Sequence, residues 1–300
     1  MTPAFLGPDA EDRLDWLALT DALAEGHTRP RAEIGDTFLY RGTDTILNRA
    51  AWIDGLGALV KTATVFPGNG ARDLPSINGA ASLFDDATGR LEAMVDFHLL
   101  TKWKTAGDSL LAARRLARSD SRRILICGAG AVARSLVSSY GALFPDATFT
   151  FWNRTPNKAA GLAAELGGNV EADLETAVRA ADIIAGATMA TEPWLQGAWL
   201  QPGQHIDLIG AYRHDMREAD DEALRCSLIF VDSRETTQEH IGEIAIPLKA
   251  GTISEADIVA SHYEPEAMVR RNDREITLFK NGGGAHLDLM TAAYILRACG

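Results

Sequence analysis

Six consecutive residues, Gly128-Ala129-Gly130-Ala131-Val132-Ala133, restrict what this chain can fold into more than any other stretch. They follow the apolar run Ile124-Leu125-Ile126 and open a segment of helical character that runs toward Phe144. In a strand–turn–helix of this kind each small residue has a mechanical reason. The first glycine makes the tight turn, the second lets backbone approach a diphosphate, and Ala133 lets the helix pack close to its strand. Exposed amides at the helix start, from Gly128, Gly130, Ala131 and Val132 onward, then receive the anion. A glycine-rich turn alone also arises for purely structural reasons. Here the strand before it, the helix after it and a second apolar strand all stand where a dinucleotide-binding unit needs them.

From Asp120-Ser121 onward strands alternate with helices: RILICGAG, ARSLVSSYGALF, ATFTFWNR, NKAAGLAAELG, ADIIAGAT, HIDLIGA and SLIFVDS. Apolar strands alternating with helices indicate a parallel sheet covered on both faces, an α/β, Rossmann-type, doubly wound fold. The preceding sequence reads differently. It predicts a helix over Asp12 to Ala24, polar connections rich in arginine, and a strand over Gly57 to Val65 that stops at Pro67-Gly68-Asn69-Gly70. A hairpin follows, ASLFD and LEAMVDF joined by Asp86-Ala87-Thr88-Gly89, then a helix over Thr105 to Arg118. The tail from Glu275 holds a short strand (ITLF), a glycine run and a last helix.

The choice of dinucleotide is made at the end of the second strand. An NAD site usually places an acid there to bind the ribose 2′-OH. This chain has Trp152-Asn153-Arg154-Thr155. Arg154 would attract a 2′-phosphate, with Asn153 and Thr155 as donors, so NADP(H) is favoured over NAD(H). The alternative is that Arg154 is a solvated turn residue. Thr188, closing the strand ADIIAGAT, stands where the carboxyl ends of parallel strands present ligand contacts.

Charge narrows the partners. The formal net charge of the 300 residues is −12, which argues against nucleic acid and against an anionic membrane surface. Cys127, Cys226 and Cys299 show no metal-ligand spacing, so no metal is expected. No run of roughly 18 apolar residues suggests a membrane span, and the first residues lack the pattern of a secretory signal. The expectation is a cytoplasmic protein. His98 and His286 read as structural, since none of the seven histidines stands at metal-like spacing.

With these pieces in order, the chain resembles the ornithine cyclodeaminase/μ-crystallin family over nearly its whole length. The resemblance is carried by Val60-Lys61 leading to Phe66-Pro67-Gly68-Asn69, by Asp85 with Thr88-Gly89, and by Lys104-Thr105-Ala106. Beyond the glycine turn it continues through Asn153-Arg154-Thr155, Ile209-Gly210-Ala211, Glu218, Val231-Asp232-Ser233, Thr277-Leu278-Phe279-Lys280, Gly283, Ala285 and Asp288. It implies a dinucleotide domain over residues 119–274, and an α+β substrate-binding and dimerisation domain built from 1–118 and 275–300. It also implies a homodimer and hydride transfer between a nicotinamide and the carbon of a small anionic α-imino acid.

By the same resemblance Lys61 falls at the family's substrate lysine and is the candidate catalytic proton donor. Arg31, Lys61, Lys104 and Asp288 are the candidate substrate-binding residues. Lys280 and Gly282 lie in a closing segment expected to approach the cofactor. Two departures matter. Lys104 stands where the family has arginine, replacing a two-pronged guanidinium with a point charge. Tyr212 stands where cyclodeaminases carry an aspartate, and tyrosine is a poor base at neutral pH. The expectation is therefore a reductase of an α-imino carboxylate, cyclic ketimine or open imine. The alternatives are an ornithine cyclodeaminase, an alanine-type amino-acid dehydrogenase, and a non-catalytic NADP(H)-binding protein.

Overall fold

The computed structural model describes residues 2–300. In chain order its elements are β1 (Ala4–Leu6), α1 (Trp16–Gly26), β2 (Glu33–Arg41), β3 (Asp44–Ile53), β4 (Gly57–Val65), β5 (Ile77–Phe84), β6 (Leu91–Asp96) and α2 (Phe97–Leu116). There follow β7 (Arg123–Cys127), α3 (Ala131–Leu143), β8 (Thr148–Trp152), α4 (Pro156–Leu166), β9 (Asn169–Val170), α5 (Leu174–Ala180), β10 (Ile183–Gly186) and β11 (His205–Leu208). The chain closes with α6 (Asp221–Arg225), β12 (Leu228–Val231), α7 (Arg234–Thr237), α8 (Gly242–Ala250), β13 (Ile258–Ser261), β14 (Thr277–Lys280) and α9 (Ala285–Cys299).

Two compact units result, one of residues 2–104 with 284–300 and one of 105–283. The chain passes between them inside α2 and at the glycine run before α9.

The first unit is a six-stranded sheet in the order β1-β6-β5-β4-β3-β2, antiparallel except for the β1–β6 pair. Alternation along β4 explains its two faces: Leu59, Lys61 and Ala63 are buried while Val60 is 38% exposed. The helix α9 lies against β3, β4 and β5. Gly26 at the end of α1 meets Met290 of α9, whose Sδ stands 2.5 Å from where a Cβ would be, so α1 and α9 need a glycine there to approach.

The predicted β5–β6 hairpin is present, with Gly89 at φ 65°. The β2–β3 hairpin was read only as arginine-rich connections. Its strands alternate weakly, and β2 is exposed throughout, so no core stripe marked it. The helix expected over 12–24 begins instead at Trp16, because Asp15 caps it by accepting from the Ala18 amide at 2.7 Å. The helix expected from Thr105 starts eight residues earlier: Asp96 accepts from the amides of His98 and Leu99, both at 2.9 Å. His98 is therefore in the first turn of a helix and exposed.

The second unit is an eight-stranded, wholly parallel sheet in the order β13-β12-β14-β11-β10-β7-β8-β9. Its direction of winding reverses between β7 and β10, the place where such sheets open a ligand crevice at their carboxyl ends. The strand Thr277–Lys280 enters this sheet between β11 and β12. It is fully buried on both faces, polar Thr277 and Lys280 included, as befits a strand inside a parallel sheet covered on both sides.

Candidate functional site

In the second unit, β7 delivers the chain into the glycine turn. Gly128 has φ 120°, and a Cβ there would stand 2.5 Å from the Ala187 carbonyl oxygen at the end of β10. Only glycine fits both demands. Gly130 is the N-cap of α3, carries no side-chain cap, and would meet nothing within 4 Å if given a Cβ. Ala133 is completely buried. The turn thus fits a diphosphate: the first amides of α3 lack a capping side chain, they face open space, and the helix dipole favours an anion there. Ala131 is exposed and Val132 half-buried at this opening. Arg134 braces the turn by donating to the carbonyls of Ala129 and Gly130, both at 3.3 Å, while its other edge is paired with Glu165.

At the end of β8, the Asn153 side chain donates to the Thr155 carbonyl at 3.0 Å. Arg154 and Thr155 are exposed, and among the described residues Arg154 has no hydrogen bond or ion pair. Thr155 is the N-cap of α4 without a side-chain cap bond, so a second helix start is open beside Arg154.

The carboxyl ends of β10 and β11 are joined by Glu218, a fully buried residue. Its Oε1 accepts from the Thr188 amide at 3.0 Å, the Thr188 hydroxyl at 2.6 Å and the Trp194 indole at 3.3 Å. Its Oε2 accepts from the Gly210 amide at 2.6 Å. Gly210 is obligatory, since a Cβ would stand 1.8 Å from the Thr188 carbonyl oxygen. Both Thr188 donors are therefore used internally, and its hydroxyl also accepts from the Trp194 indole at 2.9 Å, which leaves its carbonyl lone pairs for a ligand. Tyr212 is 57% exposed beyond this clamp.

Lys280 lies elsewhere than expected. Its ammonium is fully buried and donates to the carbonyls of Leu208 at 2.7 Å and Asn281 at 2.6 Å. Burial lowers its pKa, against the pull of Glu243, Glu218, Asp232 and Asp207. Its side chain ties strand ends together and is not offered to a cofactor. Gly282 and Gly283 donate their amides to Asp232 Oδ2 at 3.0 and 2.6 Å. A Cβ on Gly282 would stand 2.6 Å from Thr237 Cγ2, so packing within the unit is one reason for that glycine.

In the first unit, Lys61 points to the buried side of β4. Its Nζ donates to Asp288 Oδ1 at 2.8 Å and to the Thr101 hydroxyl at 2.9 Å, and it lies 4.7 Å from the centre of the Phe97 ring. Asp288 is in the first turn of α9, where the helix dipole favours a carboxylate. Lys104 is 9% exposed and has no hydrogen bond or ion pair among the described residues. Burial would raise the Asp288 carboxyl, but Lys104, Lys61 and Arg49 together hold it below its ordinary value. Burial lowers the Lys61 ammonium. Asp288 opposes that lowering, while Lys104 and Arg49 add to it, and the net shift is downward.

Arg31, the remaining cation that the resemblance implied, is not among the strongest influences on Lys61 or Asp288. It is exposed, ahead of β2. Arg49 instead stands directly opposite Lys61 in the β3–β4 register and on the same face. Sequence reading passed over Arg49 because the strand that holds it was not recognised; a repeat of two linking Arg49, Ala51 and Ile53 was the available signal. Glu218 was noted as part of the resemblance, but nothing in its local pattern marked it as a clamp between strands.

The model of a family described as ornithine cyclodeaminase/mu-crystallin matches residues 54–298. Among similar proteins, a Delta(1)-pyrroline-2-carboxylate reductase of Paracoccus denitrificans is 50% identical, over 98% of this chain and 96% of its own length. The ketimine reductase mu-crystallin of Mus musculus is 34% identical over 78% of this chain and 74% of its own. Among solved structures, Thermococcus litoralis Delta(1)-pyrroline-2-carboxylate reductase in complex with NADH and L-proline superposes with a TM-score of 0.87. It is 28% identical and covers 98% of this chain and 97% of that one.

Proposed function

Because the chain belongs to the ornithine cyclodeaminase/mu-crystallin family, we propose that it reduces a cyclic α-imino monocarboxylate of the pyrroline-2-carboxylate type with NAD(P)H. It is an oxidoreductase acting on a C=N bond. The observation that carries the substrate reading is the buried cationic cluster. Lys61 and Lys104 flank one carboxylate, Asp288, and Lys104 makes no direct hydrogen bond or ion pair among the described residues although it is almost wholly buried. Two buried ammonium groups that share one carboxylate are incompletely balanced, which is costly, and a substrate carboxylate would relieve it.

In this reading Lys104 binds the carboxylate, with Lys61 beside it. Two of the three Lys61 protons are held by Asp288 and Thr101, and the third is left for the imine nitrogen. The lowered pKa of Lys61 makes its ammonium a readier acid. Bound NAD(P)H supplies the hydride that reduces the imine carbon. The turn at Gly128, Gly130, Ala131 and Val132 would hold the diphosphate. Asn153, Arg154 and Thr155 would receive a 2′-phosphate, Thr188 would offer lone pairs at the strand ends, and Gly282 would lend backbone. Exposed Arg154 beside the uncapped start of α4 supports NADP(H) over NAD(H). Replacing Arg154 by Ala should raise KM for NADPH at least about fivefold and leave KM for NADH within twofold; parallel rises would refute the preference.

The test of the reaction is NADPH consumption with pyrroline-2-carboxylate and piperideine-2-carboxylate between pH 5 and 9, with pyruvate plus ammonia and ornithine as comparisons. No consumption with either cyclic imine overturns the reading. Turnover of pyruvate with ammonia alone would make the protein an amino-acid dehydrogenase, and ammonia release from ornithine a cyclodeaminase.

We also propose a homodimer, formed through the outer face of the six-stranded sheet. Phe5, Trp52, Val60 and Met94 share that face and are 74%, 51%, 38% and 38% exposed, an apolar patch of the kind that marks association. A monomer at micromolar concentration in sedimentation would exclude it. Among the described residues no helix is long and apolar enough to cross a membrane.

A further inference from the structure

We infer that Asp36, acting through Arg49, sets the cationic site of the first unit to accept one carboxylate and to reject a second. The inference rests on the imine-reductase reading above and specifies its substrate class.

Three residues form a row across neighbouring strands. Asp36 of β2 is opposite Arg49 of β3, and Arg49 is opposite Lys61 of β4. Directly opposed residues project to one face, the face on which α9 brings Asp288 to Lys61. The next residue in the row, Ala81 of β5, is small and completely buried.

Arg49 is held side-on. Its Nε lies 3.2 Å from both Asp36 oxygens and its Nη2 lies 2.9 Å from Oδ2. That is the two-pronged geometry with which a guanidinium binds a carboxylate. Asp36 therefore occupies the fork that would otherwise receive a second substrate carboxylate. The charge balance agrees. Lys61, Lys104 and Arg49 face Asp288 and Asp36, which leaves one positive charge to be met by the substrate. Both partners of the Arg49–Asp36 pair are about 70% buried at the side chain, so water screens the balance only in part. Removing the Asp36 charge would leave two positive charges and an open fork, which suits an imino dicarboxylate.

The test compares piperideine-2-carboxylate with piperideine-2,6-dicarboxylate, which differ by one carboxylate, through their kcat/KM values with NADPH. The wild-type protein should prefer the monocarboxylate by at least about tenfold. Asp36→Asn should shrink that preference about tenfold. The double variant Asp36→Asn with Arg49→Met removes both charges, returns the balance to one, and should restore the preference. A preference that Asp36→Asn leaves unchanged, or that the double variant does not restore, overturns the inference and leaves the reductase reading standing. Should Asp36→Asn fail to fold, Arg49→Met alone decides. It leaves Asp36 uncovered beside the site, so KM for piperideine-2-carboxylate should rise about fivefold or more while KM for NADPH stays within twofold. An unchanged imine KM overturns the inference. A wild-type protein that reduces neither compound sinks the inference, and one that also leaves pyrroline-2-carboxylate unreduced sinks the reading beneath it.

Discussion

The ammonium of Lys61 meets the carboxylate of Asp288 at 2.8 Å across 227 positions of sequence, and both side chains are at least nine-tenths buried. The pair has asymmetric neighbours. Lys104 and Arg49 add positive charge, and the largest influences on Asp288 besides burial are these cations and Lys61.

Loss of the acid should therefore cost more than loss of the base. Asp288→Asn leaves three cations around an uncharged amide and should destabilise by about 3–5 kcal/mol, the usual result of breaking a buried pair. Lys61→Met leaves Asp288 still compensated by Lys104 and should cost clearly less. In activity the order reverses for imine reduction: Lys61→Met should lower kcat/KM about 10²- to 10⁴-fold, the usual contribution of a positioned acid. Thermal unfolding of the two variants checks the first statement. An equal or larger loss in Lys61→Met would refute it.

Gly130 and Gly128 should respond differently to alanine. A Cβ at Gly130 meets open space, and φ is −93°. Gly130→Ala should change stability by no more than about 0.5 kcal/mol and raise KM for NADPH at least about tenfold, because the methyl group occupies the diphosphate's approach. Gly128→Ala, strained by φ 120° and by the Ala187 carbonyl, should destabilise the protein itself. Equal KM values for wild type and Gly130→Ala would remove the diphosphate from this turn.

Glu218 is a positioning residue that acts through Thr188 and Gly210. Glu218→Gln turns one acceptor oxygen into a donor facing other donors, and leaving a buried donor unpaired costs about 1–3 kcal/mol. Beyond that loss, KM for NADPH should rise several-fold while KM for the imine holds, and Glu218→Asp should not rescue it, since the shorter side chain cannot span Thr188 and Gly210. Matching rises in both KM values would mean that Glu218 contributes only general stability.

Stability should fall as the pH rises from about 4 to about 7. The Asp207 carboxyl, ordinarily near 3.8, titrates at about 7 in the fold because burial outweighs the hydrogen bonds from Tyr140 and Ser109. Asp232 and Glu243 are likewise raised to about 7, chiefly by burial. Across that interval the folded protein keeps protons that the unfolded chain has released. The contribution is full below the unfolded values and is lost as the pH passes the folded ones. Asp207→Asn can still accept from Tyr140, whose hydroxyl lies 2.8 Å from Asp207, but cannot ionise. Its unfolding free energy in urea should fall less steeply than wild type between pH 5 and 7. Identical slopes would assign the effect to other groups.

The sequence alone determined the local features: the strand–turn–helix around Gly128 and Gly130, the alternation that makes a parallel sheet, and Lys61 in its β-strand. Each follows from residues within one or two turns of chain, where glycine conformation and side-chain period act directly. Tertiary structure alone decided what meets across long separations. It put Arg49 rather than Arg31 opposite Lys61, withdrew Lys280 into a buried knot of carbonyls and acids, and used both Thr188 donors on Glu218. Charges find partners by distance in space, and burial sets the strength of each pairing. Neither quantity exists until strands pair and helices pack over them.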